Sequence, residues 1–523
     1  TKKYSMYKGG SFLLEITNID TLFIPEEFSE EQNGIRTMVR DFCIHEVQPI
    51  MKHADVSKDI QPAIDLLEKA AEMGLCGLSV EEKYGGIDLD FTTGLIVSEN
   101  MALGLSFATS LGAHTSIGSL PIVYYGTDAQ KEKYLPNIVT AKTKAAYCLT
   151  EPGAGSDANS GKTKAILNEA GTHYLINGQK MWITNGGYAD ILIVFAKIDD
   201  DENLTAFIVE YAFGGITRGA EEKKLGLKGS STVQLFFNNC PVPIENMLGK
   251  RGEGFKMALN ILNTGRIKLA AGSIGGSKFA LSEAMQYAQD RVQFKKSIIE
   301  FGAIQHKLGQ MAARIFCNES GVYRCGDNID DKTREFLEAG ESPSQAKIKA
   351  IREYAVECAI LKVQCSETVD YCIDEAIQIF GGMGYSSENN IESGYRDSRI
   401  LRIYEGTNEI NRMLAYGELM KRAFKNKEID IPGEFKKIPW NLLKTFRPFR
   451  PKTGLTYERS TLRNIKNTFL LLGAIAGSKL KEKLIDEQEI VMNLSDILAE
   501  CYIAESALLR IEKLRQKFPN DPG

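Results

Sequence analysis

The chain has 523 residues, which is too long for one ordinary hydrophobic core and predicts roughly two to four domains. It is 43% hydrophobic and 25% charged, a normal balance for a globular protein, and its formal net charge is -5. Because basic residues are not in excess, the composition argues against a dedicated nucleic-acid-binding protein.

The cysteine pattern and the apolar runs narrow the class of protein. None of the ten cysteines forms a Cys-x-x-Cys pair, which argues against a zinc site or a thioredoxin-like centre and favours a reducing compartment. The N-terminus lacks a positive-then-apolar signal pattern. The longest apolar run, Phe469–Gly477, is too short to cross a bilayer. We expect a soluble or, at most, peripheral protein.

Helical patterns dominate the first part of the chain. Residues 1–26 show little periodicity and are predicted to be an N-terminal extension. Residues 27–145 are predicted to form an N-terminal helical domain, in which Ile64, Leu67 and Ala71 fall on one face of a helix.

Strand patterns then replace the helical ones, which predicts a middle β domain over residues 146–252. The segment His173–Ile183 has the pattern of a hairpin, with Asn177–Gly178 at the turn. Three further strands are predicted, at Ile191–Ala196, Thr205–Val209 and Val233–Phe237.

Helical spacing returns in residues 253–425 and again in residues 459–523, separated by a basic linker over 426–458. Residues 436–452 in this linker interleave cations with aromatic and apolar side chains. One interpretation is a solvated connector, which composition alone favours. The other is a patch that contacts an anionic membrane surface.

One carboxylate stands out within the segment Tyr395–Ile410. Glu405 lies between Tyr404 and Gly406. An aromatic neighbour removes water from a carboxylate, and glycine lets a substrate approach the backbone, so this setting favours a base that works near neutral pH. The alternative is a surface glutamate beside a helix that starts at Thr407.

Four other segments decide between these interpretations. They are Tyr147–Asp157, Met181–Gly186, Asp290–Phe294 with Phe301–Gln305, and Gln378–Gly384. In this order, over roughly residues 27–425, the set resembles the acyl-CoA dehydrogenase family, most closely its very-long-chain branch. The resemblance implies a mostly α, α+β fold. Its parts are an N-terminal helical domain, a middle β-barrel-like domain, a C-terminal four-helix bundle and an additional C-terminal helical region.

The reaction that the resemblance implies is the removal of two hydrogens from the α and β carbons of an acyl-CoA thioester. Glu405 takes the α proton, the flavin N5 of FAD takes the β hydride, and an electron-transfer flavoprotein receives the electrons. A related branch places its base just before an arginine on a helix. That position is Gly265 here, before Arg266, and glycine cannot accept a proton.

The resemblance also assigns the FAD contacts. Tyr147, Leu149 and Thr150 lie along the isoalloxazine ring, and Ser156 contacts a flavin phosphate or the CoA portion of the substrate. Trp182 covers one face of the flavin, with Ile183 beside it, and Thr184 bonds near N5. The residues that match the pyrophosphate and adenine sites, across a subunit interface, are Arg291, Phe294, Gln305, Gln378, Gly381 and Gly382. Thr407 and Glu409 complete the set.

Substrate contacts follow by the same resemblance. Asn263 and Arg266 match positions near the CoA portion, and Tyr404 and Gly406 flank the base. The residues that align with the floor of the acyl pocket are Thr109, Gly112 and Ala113. Because these side chains are small, they leave depth for a long acyl chain, and we expect long over medium chains.

Competing sites are less well supported. Gly153–Ala158 fits a dinucleotide fingerprint, but a β hairpin follows it where a βαβ unit is needed. The five histidines show no metal-ligand spacing, and His114 is expected to be structural. No metal is expected.

Two alternative functions and two assemblies stay open. An acyl-CoA oxidase and a respiratory-complex assembly or scaffold protein would share this fold. A homodimer is preferred to a tetramer, since the additional C-terminal helices would occupy the surface that pairs dimers in shorter members. The location is expected to be the cytoplasm in a bacterium, or the mitochondrion in a eukaryote.

Overall fold

The computed structural model describes residues 7–15, 17–431, 433 and 455–518. The predicted fold class is confirmed: a helical N-terminal domain, a middle β domain and a helical C-terminal domain follow one another, and further helices come after them. The basic segment 436–452, for which a membrane contact was one interpretation, lies outside the described residues.

The N-terminal domain is built from short helices around a core that includes Leu66, Leu67 and Phe107. The first helix begins with a capping box, in which Ser29 and Gln32 exchange side-chain and backbone hydrogen bonds. The helices are α1 (Glu30–Phe42), α2 (Gln48–Met51), α3 (Gln61–Glu72), α4 (Phe91–Met101), α5 (Ser106–Gly112), α6 (Leu120–Tyr125) and α7 (Asp128–Val139).

The middle domain is an eight-stranded sheet whose order is β6-β7-β3-β2-β4-β5-β8, with β1 also paired to β4. β4 runs parallel to β1 and β2 and antiparallel to β5. The strands are β1 (Ala145–Cys148), β2 (Lys164–Leu167), β3 (His173–Thr184), β4 (Ile191–Ile198), β5 (Thr205–Glu210), β6 (Ile216–Arg218), β7 (Thr232–Pro243) and β8 (Met247–Leu248).

The hairpin turn predicted at Asn177–Gly178 is wrong, because β3 runs through these residues without a break. Its register with β7 shifts between Ile176 and Gly178. Gly178 has φ 152°, and a Cβ there would lie 2.5 Å from Thr163 Oγ1. The Asn177 side chain bonds to Asn239 of β7 at 2.9 Å. The Asn-Gly pair thus serves a bulge, which needs the same backbone freedom as a tight turn.

The C-terminal domain is a bundle in which α8, α9 and α11 pack against one another and α13 packs on α11. A small hairpin of β9 (Val292–Gln293) and β10 (Lys296–Ser297) joins the two longest helices. The helices are α8 (Gly254–Asp290), α9 (Gly302–Glu338), α10 (Pro343–Glu353), α11 (Ala355–Phe380), α12 (Asn390–Ser398) and α13 (Asn408–Met420).

Two more helices, α14 (Thr456–Leu480) and α15 (Gln488–Lys517), pack together, and α15 also packs on α9 and α13. The residues predicted as an N-terminal extension lie against α15: Ile24 packs on Leu509. Glu26 accepts hydrogen bonds from Arg510 of α15, the shortest at 2.6 Å. Both ends of the described chain therefore belong to one structural region.

Two features bear on the class of protein. No helix in the described ranges is both long and apolar enough to cross a membrane. All ten cysteines are free thiols, and all but Cys317 are buried, as expected for small apolar side chains.

Candidate active site

Glu405 lies in the short loop before α13, in a backbone conformation that non-glycine residues rarely adopt. Its φ is 58°, and that of Gly406 is 84°. Such strain persists only where the surroundings hold it. Arg266 Nε donates to the Glu405 carbonyl at 3.2 Å, and Asn411 Nδ2 donates to the Gly406 carbonyl at 2.7 Å. Contacts from α8 and α13 therefore fix the direction of the Glu405 side chain.

The Glu405 carboxylate is desolvated. Its Oε2 atom is buried without a hydrogen-bond partner among the described residues. Burial raises the pKa of Glu405 to about 7, against the lowering effect of the Arg266 and Lys362 cations. A carboxylate with this pKa is suited to act as a general base near neutral pH.

Gly265 on α8 provides the space that the carboxylate occupies. A Cβ at this position would lie 2.7 Å from Glu405 Oε2 and 2.9 Å from its Cδ. Real Cβ atoms do not approach other atoms so closely. Gly265 cannot serve as an alternative base. Because it has no side chain, it also leaves room for the Glu405 carboxylate.

Tyr147 on β1 is near the same space. Its hydroxyl group is buried without a partner among the described residues. Burial raises the pKa of Tyr147 well above its usual value, and the charge of Glu405 adds to the effect. Buried polar atoms without partners are uncommon in folded proteins, so two of them near each other mark a place where a ligand completes the bonding.

A buried ion pair supports the loop that follows Tyr147. Lys180 of β3 donates to Glu151 Oε1 at 2.7 Å and to the Leu149 carbonyl at 3.1 Å. Glu151 also accepts from the Thr163 backbone at 3.1 Å. The Thr150 carbonyl accepts from Met181 at 3.0 Å. The predicted flavin-contact segment at 147–150 is thus held to β3 on both sides of Thr150.

Trp182 projects from β3 where the strand bulges. The register with β7 shifts between Lys180 and Ile183, and Trp182 has φ 59°. Its side chain is 54% exposed, which is unusual for a tryptophan in a strand. Thr184 is half-buried, whereas the Ile183 side chain lies in the β core. A contact of Ile183 with a ligand would therefore come from its backbone.

The predicted pyrophosphate and adenine residues lie together at the other end of the bundle. Tyr287 near the end of α8 stacks on Phe380 at the end of α11, at 4.2 Å between ring centres. Gly265 and Tyr287 are separated by about 33 Å along α8, at 1.5 Å per residue. The members of this set, all exposed, are Arg291, Phe294, Gln305, Gln378, Gly381 and Gly382. One chain does not bring them to Glu405.

Three of these positions are unusually open. Phe294 is 89% exposed at the tip of the β9–β10 hairpin. Gly381 has φ 60°, and a Cβ at Gly381 or Gly382 would meet nothing within 4 Å. This end of the bundle therefore presents both an exposed aromatic ring and open glycine backbone.

The floor of the predicted acyl pocket lies on α5 and the π-helical turn after it, Ala113–Gly118. Thr109 hydrogen-bonds the Tyr404 hydroxyl group. A Cβ at Gly112 would meet no atom within 4 Å. The positions predicted to line the pocket thus combine small side chains with open space next to the Glu405 loop.

His114 has a structural role, as the sequence indicated. Its Nε2 lies 2.9 Å from the Ile138 carbonyl, and its Nδ1 accepts from the Ala145 backbone at 3.0 Å. Burial lowers the pKa of His114 to about 4, so the ring is neutral. It ties the π-helical turn to the start of β1.

The remaining predicted contacts lie in three other parts of the chain. Ser156 is exposed in the loop after β1. The Asn263 side chain is buried, and its Oδ1 accepts from Arg266 Nη1 at 2.6 Å, so it supports the arginine. Thr407 caps α13 by accepting from Ile410, and Glu409 is exposed in the first turn. These last two positions also fit the simpler interpretation of a helix start.

Sequence reasoning missed Lys362 of α11. This lysine is fully buried, and its Nζ donates to the Gly406 carbonyl and to Asn408 Oδ1, both at 2.7 Å. The available signal was a single cation between Leu361 and Val363 in an apolar run. Among the described residues, no cluster of His, Cys, Asp or Glu side chains could hold a metal ion.

Models of acyl-CoA dehydrogenase domains match nearly all of this architecture. The N-terminal domain model matches residues 29–142, the middle domain model 146–240, and C-terminal domain models 252–420 and 464–520. The chain belongs to the acyl-CoA dehydrogenase family. This confirms the family resemblance and the prediction of an oxidoreductase.

Individual members of the family are similar over most of the chain. A probable acyl-CoA dehydrogenase of Bacillus subtilis (strain 168) is 43% identical over 98% of this chain and 86% of its own. The human mitochondrial very long-chain specific acyl-CoA dehydrogenase is 38% identical over 96% of this chain and 78% of its own.

A solved acyl-CoA dehydrogenase from Bacillus anthracis, in complex with FAD, has the same fold. It is 43% identical and has a TM-score of 0.93, with 98% of this chain and 86% of its own covered. This relative supports FAD as the cofactor that the acyl-CoA dehydrogenase site described above is built to hold.

Proposed function

We propose that this acyl-CoA dehydrogenase uses FAD to convert a long-chain acyl-CoA to its trans-2-enoyl-CoA, as in fatty acid β-oxidation. Glu405 is the base that takes the α proton, and an electron-transfer flavoprotein is the electron acceptor. The observation that carries the proposal is the Glu405 carboxylate, which is buried without a partner at a strained loop position, with its pKa raised to about 7.

The described residues fit FAD in two separate places. Near Glu405, the partnerless Tyr147 hydroxyl, the exposed Trp182 and the half-buried Thr184 would hold the ring system. When bound, the flavin supplies an acceptor for the β hydride. At the far end of the bundle, the open backbone at Gly381 and Gly382 would admit a pyrophosphate.

The separation of these two places supports a homodimer. About 33 Å along α8 divides Gly265 from Tyr287, so the pyrophosphate and adenine residues of one chain are too far from its own Glu405 to share a cofactor with it. In a two-fold dimer, the exposed Phe294 hairpin of each chain would reach the other chain's flavin. A tetramer remains the alternative.

The protein's own part in the reaction is to hold and move one proton. The α carbon of a thioester is weakly acidic, so the base must be close to it, and the developing oxyanion must be bound. The Glu405 backbone N–H is proposed to bind the thioester oxygen. Arg266 and Lys362 keep the carboxylate ionised enough to accept the proton despite its burial.

Electronic absorption of the purified protein tests the function. Palmitoyl-CoA added without oxygen is expected to bleach the yellow protein. A yellow protein that no acyl chain length bleaches would favour the alternative of a scaffold protein. Re-oxidation by electron-transfer flavoprotein without hydrogen peroxide supports the dehydrogenase, whereas rapid peroxide formation in air would support the oxidase.

The rate of bleaching is expected to rise with pH through about 7 and then level off. Burial raises the pKa of Glu405 to about 7, and only the ionised carboxylate accepts a proton. Stopped-flow measurements at saturating palmitoyl-CoA between pH 5.5 and 9 give the profile. A rate that does not change across this range would contradict Glu405 as the base.

The Gly112→Leu variant is expected to lose palmitoyl-CoA turnover by about 10-fold while it keeps hexanoyl-CoA turnover, since the new side chain would fill the open space on α5. The measurement is kcat/KM across even chain lengths. Gly34→Leu is the matched control, because a Cβ at Gly34 also meets nothing within 4 Å. A parallel loss at all chain lengths would place the pocket floor elsewhere.

A further inference from the structure

The loop that carries Glu405 is held by a buried cation that comes from another helix. Lys362 of α11 is fully buried, and its Nζ donates to the Gly406 carbonyl and to Asn408 Oδ1, each at 2.7 Å. A buried ammonium group is unfavourable unless it is fully hydrogen-bonded, so the position of Lys362 and the position of the loop depend on each other.

These contacts continue as an ionic chain to the last helix. Asn408 Nδ2 donates to Glu367 Oε1 at 3.0 Å. Arg412 of α13 binds both oxygens of Glu367, at 2.8 and 3.0 Å, and its Nε donates to Asp496 Oδ1 of α15 at 2.6 Å. The two-pronged contact fixes direction as well as distance. Side chains from α11, α13 and α15 are thus joined in one path that ends at Gly406.

We propose that Lys362 is a positioning residue for Glu405, and that Asn408, Glu367, Arg412 and Asp496 extend the same restraint to α15. The proposal rests on the proposed function, because it takes Glu405 to be the base. It also gives the additional C-terminal helices a role in the chemistry that is separate from any role in assembly.

Glu405 needs a positioning residue because its backbone is strained. A residue with φ 58° relaxes unless its neighbours hold it, and relaxation would swing the carboxylate away from the α carbon. Proton transfer is sensitive to such movement, since a shift of about 1 Å costs on the order of 100-fold in rate. Lys362 donates a hydrogen bond to the carbonyl of the next residue, Gly406, and so restrains this backbone directly.

Lys362 also contributes charge to the site. Arg266 from α8 and Lys362 from α11 are the cations that lower the pKa of Glu405, while Tyr147 from β1 and Tyr404 of the same loop respond to its charge. Removing the Lys362 charge is therefore expected to raise the pKa of Glu405, and an arginine at this position is expected to restore it.

Stopped-flow reduction by palmitoyl-CoA tests the proposal on FAD-loaded protein. Lys362→Met is expected to lower the limiting rate by about 10- to 30-fold, with substrate Kd within about 2-fold, because positioning affects chemistry more than binding. Its pH profile is expected to move to higher pH. Lys362→Arg should return the profile to that of the wild type and recover part of the rate.

Infrared titration of the Glu405 carboxyl band gives a readout without turnover. The band is assigned by its loss in Glu405→Gln, and its midpoint is expected to move up in Lys362→Met and not in Lys362→Arg. A wild-type rate and an unmoved midpoint in Lys362→Met would overturn the proposal. A wild type that palmitoyl-CoA does not bleach would instead defeat the proposed function, and this is seen before any variant is made.

Asp496 tests the far end of the chain even if Lys362→Met does not fold. Its side chain is 45% exposed, so Asp496→Asn should fold and lower the limiting rate by only about 3-fold, since exposed ion pairs are weak. Glu512→Gln is the control, because it removes an ion-pair carboxylate of the same helix, α15, whose partner Arg459 lies on α14 and outside the proposed path. Equal rates in these two variants would remove α15 from the proposal.

Discussion

Replacing Glu405 by glutamine is expected to reduce the rate of flavin bleaching by palmitoyl-CoA by about 100- to 10,000-fold, the range typical of general base catalysis. The amide has the shape of the carboxylate but cannot accept a proton. Because Glu405 Oε2 has no hydrogen-bond partner among the described residues, the exchange breaks no bond that holds the loop. Anaerobic stopped-flow absorption measures the effect.

The control for this prediction separates chemistry from binding. Glu405→Gln should retain its yellow colour, one FAD per chain and an unchanged affinity for acyl-CoA. Glu418→Gln changes a half-buried carboxylate of the same helix, α13, which pairs with Lys421 at 3.1 Å, and its rate should match the wild type. A Glu405→Gln variant that keeps more than about a tenth of the rate would assign the proton to another group.

The sequence was most informative where function depends on neighbours in the chain. Glu405, Gly406 and the start of α13 are consecutive, so local sequence brought Glu405 forward as a candidate, and the family resemblance carried by four other segments decided that it is the base. Strands β4 and β5 were predicted within about two residues, because their apolar runs are buried on both faces.

Asn177–Gly178 shows the limit of local reasoning. The pair is a strong hairpin signal when only its neighbours are considered. In the structure the pair forms a bulge, because β3 continues along β7. Thr163, just before β2, approaches Gly178 too closely for any side chain at that position. The outcome depends on a strand far from the pair in sequence, which no local pattern contains.

Lys362 was missed for a related reason. Glu405 and Lys362 are 43 residues apart, and they meet only because α11 passes under the loop. A lone lysine in an apolar helix predicts burial with a partner, but its partners, the Gly406 carbonyl and Asn408 Oδ1, lie far along the chain, and a carbonyl leaves no mark in the sequence. The packing of the N-terminal segment on α15 was missed for the same reason, since Glu26 and Arg510 lie near opposite ends of the chain.

The sequence and the structure each give a reason why glycine is needed at position 265. The sequence identified it as a position without a base, which explains why Glu405 has no competitor. Only the structure shows that its missing side chain is needed for a second reason: the Glu405 carboxylate fills the space where a Cβ would be, at 2.7 Å. An acid at this position and Glu405 in its present conformation are therefore mutually exclusive.

Gly265→Ala is accordingly expected to slow bleaching by about 100-fold, because the methyl group would push the carboxylate off its line to the α carbon. The same change should not lower stability. The displaced atoms are the flexible end of a side chain, and alanine is favoured over glycine within a helix by about 1 kcal/mol. Stopped-flow rates and thermal unfolding, measured on the same preparations, give the two effects.

Gly272→Ala on the same helix is the matched control. A Cβ at Gly272 would meet Ser98 O at 3.5 Å, an ordinary contact, so this variant should gain similar helix stability and keep its rate. If both variants lose rate equally, the effect belongs to α8 as a whole. If Gly265→Ala loses rate and melting temperature together, the helix has moved instead of the carboxylate. A loss of rate at constant or raised melting temperature is the result that ties the space at Gly265 to the position of the base.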